Sequence, residues 1–195
     1  MGFKDLTLFN DALLAKQAWR LLHNKDSLFY RVFKSKFFPH CSILDDKENF
    51  GGSYAWRSIL KGRYVLKKGV HWRIGTGESI NLWADPWMPS FENTRLQSPL
   101  PESFIGAHVA DLINPMTKQW DFSLLNNLFL PHEVSSIMSI PLGKNRVADK
   151  IFWPLNQSGL YIVKSSYQFL MEEHKNSNAD GLQFNQADVF PSRSS

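Results

Sequence analysis

The apolar residues change their period at Val70, and that change bounds what the chain can fold into. Before it they return every three or four residues, as on one face of a helix; after it they alternate, as on a half-buried strand. Leu13, Leu14, Ala18, Leu21 and Leu22 trace the first helical face. They follow Asn10 and Asp11, either of which can cap a helix by accepting a free first-turn N–H. Asn24-Lys25-Asp26-Ser27 turns the chain, and Leu28, Val32 and Phe33 begin a second helix that stops near Pro39, giving an expected antiparallel pair. Beyond Gly51-Gly52, Ser53 is the next cap. Trp56, Ile59 and Leu60, with Tyr64 as a further candidate, outline the buried face of a third helix. Gly62 counts against that helix, since a helical glycine costs about 1 kcal/mol relative to alanine.

From Val70 the pattern predicts hairpins. Val70 to Ile74 and Ser79 to Trp83, joined by Gly75-Thr76-Gly77-Glu78, read as one; Asp85-Pro86-Trp87-Met88-Pro89 ends it, because proline cannot donate to a sheet ladder. Ile151 to Pro154 and Leu160 to Val163, joined by Asn156-Gln157-Ser158-Gly159, read as a second. Between them a short element at Val109 to Ile113, a helix at Leu124 to Leu130 and another opening at Pro131 are expected, and a last helix runs from Lys164 to Met171. Strand signals in hairpins, without long helices alternating between them, give a mixed α+β class and exclude a doubly wound sheet. The expected parts are a basic helical segment (1–69), an aromatic hairpin and loop (70–106), a region of short helices with the second hairpin (107–171), and a polar flexible tail (172–195).

The chain of 195 residues, 43% apolar and 14% aromatic, can bury a real core. It contains no apolar run of about 18 residues and no apolar leader after Met1, so neither a membrane nor a secretory route is expected and an intracellular place is. A single cysteine, Cys41, excludes an internal disulfide framework. The net charge of +4 hides a division: residues 1–75 hold 14 Lys and Arg against 6 Asp and Glu, or +8, and the remainder hold 8 against 12, or −4. A surface that touches phosphates shows such a basic excess, although basic helices are also common as solvated faces.

Little in the residues points to catalysis. Asp45-Asp46 is an adjacent acidic pair that reads as part of a solvated turn, whereas metal-assisted phosphoryl transfer needs several carboxylates on rigid elements around a cleft. Gly75-Thr76-Gly77 lacks the Gly-Lys-Ser/Thr and following helix of a phosphate loop. His23, His40, His71, His108, His132 and His174 include no pair at the spacing that puts two ligands on one helical face, so no metal or other cofactor is expected. The better candidates are cationic and aromatic. Arg57, Lys61, Arg63, Lys67, Lys68 and Arg73 are candidate contacts to a nucleic-acid backbone and Trp72 a candidate stacking platform, with Trp83 and Trp87 nearby. Against this stands the ordinary reading of hairpin tryptophans as core.

The same residues carry a resemblance. Gly2-Phe3-Lys4-Asp5-Leu6, Phe9-Asn10, Ala12-Leu13-Leu14-Ala15-Lys16-Gln17 and Trp19-Arg20-Leu21-Leu22 open a series of blocks. Trp56-Arg57-Ser58-Ile59, Gly62-Arg63, Lys68-Gly69, Trp72-Arg73-Ile74-Gly75-Thr76-Gly77, Ile80 and Asp85-Pro86-Trp87 continue it. Asp111-Leu112-Ile113, Trp120-Asp121, Leu128-Phe129, Ile140-Pro141-Leu142, Asp149, Trp153 and the run from Gly159 to Tyr167 complete it. In this order the blocks resemble plant non-LTR (LINE-type) retrotransposon reverse transcriptases, in the stretch that follows the polymerase core and enters the zinc-binding reverse-transcriptase domain.

The resemblance implies a role in holding template and primer beside a polymerase supplied elsewhere. The family's paired polymerase aspartates are expected upstream of Met1; its zinc ligands and a ribonuclease H-like domain are expected downstream of Tyr167. The expectation is therefore a non-catalytic, truncated relative with RNA or DNA as candidate partner, and with no small-molecule substrate. A protein-interaction module or a product without function is the alternative.

Overall fold

In the computed structural model the described residues are 5–44, 52–90, 94–143 and 147–184, with side chains to 177. They form α-helices and a two-stranded antiparallel sheet, an α+β fold, divided into two compact units: Met1–Gly69 with Leu155–Ser195, and Val70–Pro154.

The first unit is helical. Helix α1 spans Leu6–His23, α2 Leu28–Phe37 and α3 Tyr54–Gly69, and a last helix, Val163–Phe184, belongs to the same unit. The cap of α1 is Asp5, not Asn10 or Asp11: its Oδ1 accepts from the N–H groups of Thr7 (2.9 Å) and Leu8 (3.1 Å), so the helix starts earlier and both predicted caps lie inside it. Ser53 does cap its helix, accepting from Trp56 N–H (3.3 Å), and Ser27, expected only as part of a turn, caps α2 by accepting from Tyr30 N–H (3.1 Å).

Ala12, Ala15 and Ala18 have no exposed surface, and their small side chains let α3 lie directly on α1. The contact leaves no room for a side chain at Gly62, where a Cβ would stand 2.3 Å from the Leu14 carbonyl carbon. The glycine that lowers helix propensity is thus the point where two helix backbones meet. Behind it, the Trp56 indole stacks in parallel with Phe37 (centroids 4.7 Å apart) and Phe38 (5.6 Å). Tyr161 fastens the far end of the chain to α1. Its hydroxyl donates to the Ala12 carbonyl (2.8 Å), its own carbonyl accepts from Lys16 Nζ (2.7 Å), and its ring lies 5.9 Å from that of Trp19. Burial pushes the Tyr161 phenol up to about 12, with a hydrogen bond to Ser166 acting the other way.

The helix that follows continues through Phe184, so residues 172–184 are helical where composition predicts a flexible tail; Glu172, Glu173 and Lys175 are good helix formers. Residues 185–195 lie outside the described residues, as do Gly2-Phe3-Lys4, Asp45-Asp46 and Gly51.

The second unit holds the sheet. Strand β1 (His71–Arg73) pairs antiparallel with β2 (Lys150–Phe152), His71 opposite Phe152, Trp72 opposite Ile151 and Arg73 opposite Lys150. Neither expected hairpin forms: the first strand of one pairs with the first strand of the other. The physical reason lies in the polar side chains between them. Asn81 Oδ1 accepts from Trp83 N–H (3.2 Å) and Ala84 N–H (2.9 Å) and Asp85 accepts from Asn81 N–H (2.7 Å), which turns the chain where a second strand would run. That segment keeps an isolated bridge, Asn81 to His108. Beyond β2, Tyr161 is committed to α1, and Leu160 and Ile162 beside it are exposed.

The remaining elements are the short helices α4 (Phe122–Leu128) and α5 (Pro131–Met138), with single 3-10 turns at Glu102–Phe104 and Val109–Leu112; in chain order the helix Val163–Phe184 is α6. Ile80, Leu82, Trp87, Val109, Leu125 and Ile137 are central to this unit's core.

Carboxylates hold the unit where regular structure does not. Asp149 Oδ1 accepts from Gly75 N–H (2.7 Å) and Gly77 N–H (2.8 Å), and its Oδ2 accepts from Ser79 N–H (2.9 Å). Gly77 has φ +76°, and a Cβ on Gly75 would stand 2.0 Å from the Val147 carbonyl oxygen, so the Gly-Thr-Gly loop can wrap this closely through glycine alone. Glu133, 2% exposed, accepts from Gln97 N–H (2.6 Å), Ser98 N–H (3.2 Å), Leu130 N–H (3.2 Å) and the Ser98 hydroxyl. Asp121 caps α4 through Leu124 N–H (3.0 Å), and Asp111 accepts from His108 N–H (2.8 Å).

Candidate nucleic-acid interface

The candidate cations divide between the two units. Arg57, Lys61, Arg63, Lys67 and Lys68 lie on α3, and Trp72 and Arg73 on β1. On α3 the face decides what each can do. At 100° per residue, positions 54, 57, 61, 64 and 68 fall within about 80° of the helix circumference. All five are exposed, so Arg57, Lys61 and Lys68 form one stripe with Tyr54 and Tyr64 among them. Arg63 and Lys67 are on the other side. Arg63 is 3% exposed, with its guanidinium carbon 5.7 Å from the Tyr64 ring centroid, and Lys67 is half-buried. Lys68 Nζ makes a 3.0 Å ion pair with Glu173 of α6, a pair open to solvent and therefore worth at most about 1 kcal/mol.

Tyr64 was a candidate for the buried face of α3 and turns outward, 51% exposed; Tyr54 is 81% exposed. The inward positions are filled by Trp56, Ile59, Leu60, Val65 and Leu66. Sequence reasoning missed both tyrosines as surface groups, although their spacing from the three cations is itself the helical period.

On β1 the pleat sends neighbouring side chains to opposite faces. Trp72 is half-buried against the core of the second unit, while Arg73 is exposed, its guanidinium 5.3 Å from the Phe152 ring centroid. The other two tryptophans of this region are structural. Trp83 Nε1 donates to the Ser98 carbonyl (2.9 Å), and Trp87, 2% exposed, donates to the Leu82 carbonyl (2.8 Å). His71 is buried edge-on to Phe152, and desolvation holds its pKa below the ordinary 6.5.

Basic residues lie against the phenylalanines of α2 and its C-terminal end: Arg20 of α1 over Phe29 (5.2 Å), Lys34 over Phe38 (5.3 Å) and Lys36 over Phe37 (5.4 Å). Their stems cover apolar surface and their charges remain at its edge. Among the described residues no group of three or more His, Cys, Asp or Glu side chains is placed to hold a metal ion, and no helix is long and apolar enough to cross a membrane.

Two proteins of Arabidopsis thaliana are similar to the chain. One is named an uncharacterised mitochondrial protein, 43% identical over 88 residues, which cover 45% of this chain and 57% of that protein. The other is named "Putative ribonuclease H protein", 28% identical over 183 residues, which cover 87% of this chain and 28% of that protein. The chain thus spans little more than half of one relative and about a quarter of the other. No family model matches, and no solved structure does.

Proposed function

We propose that the chain is a nucleic-acid-holding part of a plant non-LTR retrotransposon reverse-transcriptase protein, and that it contributes contacts to the polynucleotide backbone but no catalytic group. The observation that carries the reading is the cationic stripe of α3, where Arg57, Lys61 and Lys68 are exposed along one line of a helix fixed to α1 by Gly62. Arginine and lysine side chains so placed neutralise phosphates and release their counterions. The ordered blocks from Asp5 to Tyr167 support the family, and so does the long but partial likeness to a plant protein named for ribonuclease H. That name describes the larger protein; the chain proposed here works beside such an activity.

The test is a salt titration of binding. Purified protein is expected to bind a labelled polynucleotide at low salt, with log K falling linearly as log[salt] rises. Arg57→Gln and Lys61→Gln should each reduce the slope by about 0.7 on a single strand. Binding that is absent at low salt, or unchanged by both substitutions, would remove the proposal. Arg63→Gln belongs outside this set, because its side chain is buried.

A further inference from the structure

We infer that the exposed face of α3 is a site for single-stranded nucleic acid, in which Tyr54 and Tyr64 stack on bases while Arg57, Lys61 and Lys68 hold phosphates. The inference rests on the reading above and adds the form of polynucleotide and the groups that select it. Its starting observation is the two tyrosines. Tyr54 and Tyr64 are 81% and 51% exposed, on a helix whose other aromatic, Trp56, is 3% exposed and stacked between neighbours. A helix that buries one ring well leaves two others in water, both within the sector of about 80° that holds Arg57, Lys61 and Lys68.

The arrangement along the axis suits one occupant. From Tyr54 to Lys68 the stripe is about 21 Å long at 1.5 Å per residue, with the order aromatic, cation, cation, aromatic, cation. Positive charge selects a polyanion. The rings select one whose bases have free π faces, which an intact duplex does not offer along its sides. Tyr64 is also held in place. The guanidinium of the buried Arg63 lies 5.7 Å from the ring centroid, and half of the Tyr64 surface faces solvent. Lys68 is paired with Glu173 at 3.0 Å, and a phosphate replaces that carboxylate with the same charge at little cost, since the pair is open to solvent.

The experiment compares a short single-stranded oligonucleotide carrying 2-aminopurine with the blunt duplex made from it, using the full chain and the variants Tyr64→Leu and Tyr54→Leu. Both positions are exposed, so neither substitution disturbs the core. Tighter binding of the single strand is expected, with quenching of 2-aminopurine fluorescence. Each variant should lose about 5- to 150-fold in single-strand affinity and part of the quenching, with the salt slope and the duplex affinity unchanged. Salt-dependent binding that ignores both substitutions, or that favours the duplex, overturns this inference and leaves the proposed backbone contacts of Arg57 and Lys61 standing. Absence of binding to either form overturns both.

Discussion

Gly62 gives the sharpest residue-scale test of the fold, because helix propensity and packing disagree about it in sign. On a solvated helix, alanine in place of glycine stabilises by about 1 kcal/mol. Here the added methyl would stand 2.3 Å from the Leu14 carbonyl carbon and 2.4 Å from the Ala15 nitrogen, backbone atoms that cannot step aside singly. Gly62→Ala is therefore expected to destabilise by about 3 kcal/mol, the upper part of the ordinary range for overpacking. Urea unfolding followed by circular dichroism measures it, and a variant more stable than the parent would mean that α1 and α3 do not touch there. The residues themselves announce an odd glycine within a helical pattern. They do not announce its partner, since Leu14 and Ala15 are remote in sequence and the alanines opposite read equally well as helix formers. Tyr64 was illegible for a related reason: a tyrosine fits a buried or an exposed position, and the inward face of α3 holds Val65 and Leu66 while Tyr64 is exposed.

At the scale of elements, the helices were legible and the strands were not. Helices α1 to α3 follow from periods contained within each segment and Ser53 caps α3 as expected, whereas the caps of α1 and α2 are Asp5 and Ser27, the latter read from sequence only as part of a turn. A strand's partner is not contained in it. His71–Arg73 and Lys150–Phe152 are three residues each, and their pairing closes a loop across the whole second unit, which no local turn signal encodes. What stands in for a turn is Asp149, beside β2, gathering the N–H groups of Gly75, Gly77 and Ser79 just beyond β1. Removing the carboxylate leaves three donors to water or to nothing. In Asp149→Ala those three amides should exchange with deuterium at least about 10-fold faster than in the parent, equivalent to about 1.4 kcal/mol of lost local stability. Unchanged protection would show that the loop keeps its shape without the clasp. Among the seven candidate binding residues the element again decides. The period of α3 joins Arg57, Lys61 and Lys68 and takes Arg63 inward, and the pleat of β1 separates Trp72 from Arg73.

For the molecule as a whole, the division of charge has two different physical sources. The basic excess of residues 1–75 includes the solvent-exposed Arg57 and Lys61 on α3, whereas Asp85, Asp111, Asp121, Glu133 and Asp149 of the acidic remainder accept hydrogen bonds from backbone N–H groups. This makes the second unit sensitive to acid. Burial of Glu133 works to raise its pKa, but the hydrogen bonds from Ser98, Gln97 and Leu130 together hold it below the ordinary 4.5. Its stabilisation is therefore complete above about pH 4.5 and is lost as pH falls through the depressed folded value. His71 adds a loss that begins higher, since its folded pKa lies below 6.5 and the unfolded chain takes up the proton first. Glu133→Gln should be less stable than the parent by about 2 kcal/mol at neutral pH, with the gap closing on acidification; thermal midpoints measured across pH check it, and a constant gap would refute the assignment. The antiparallel register has one more consequence. His71 faces Phe152 across the sheet, so the chain enters and leaves the second unit at neighbouring points, a few ångströms apart. A segment tethered in this way behaves as a cassette: insertions, losses or exchange of its interior in related chains need not alter the separation of the two ends it presents to the flanking sequence.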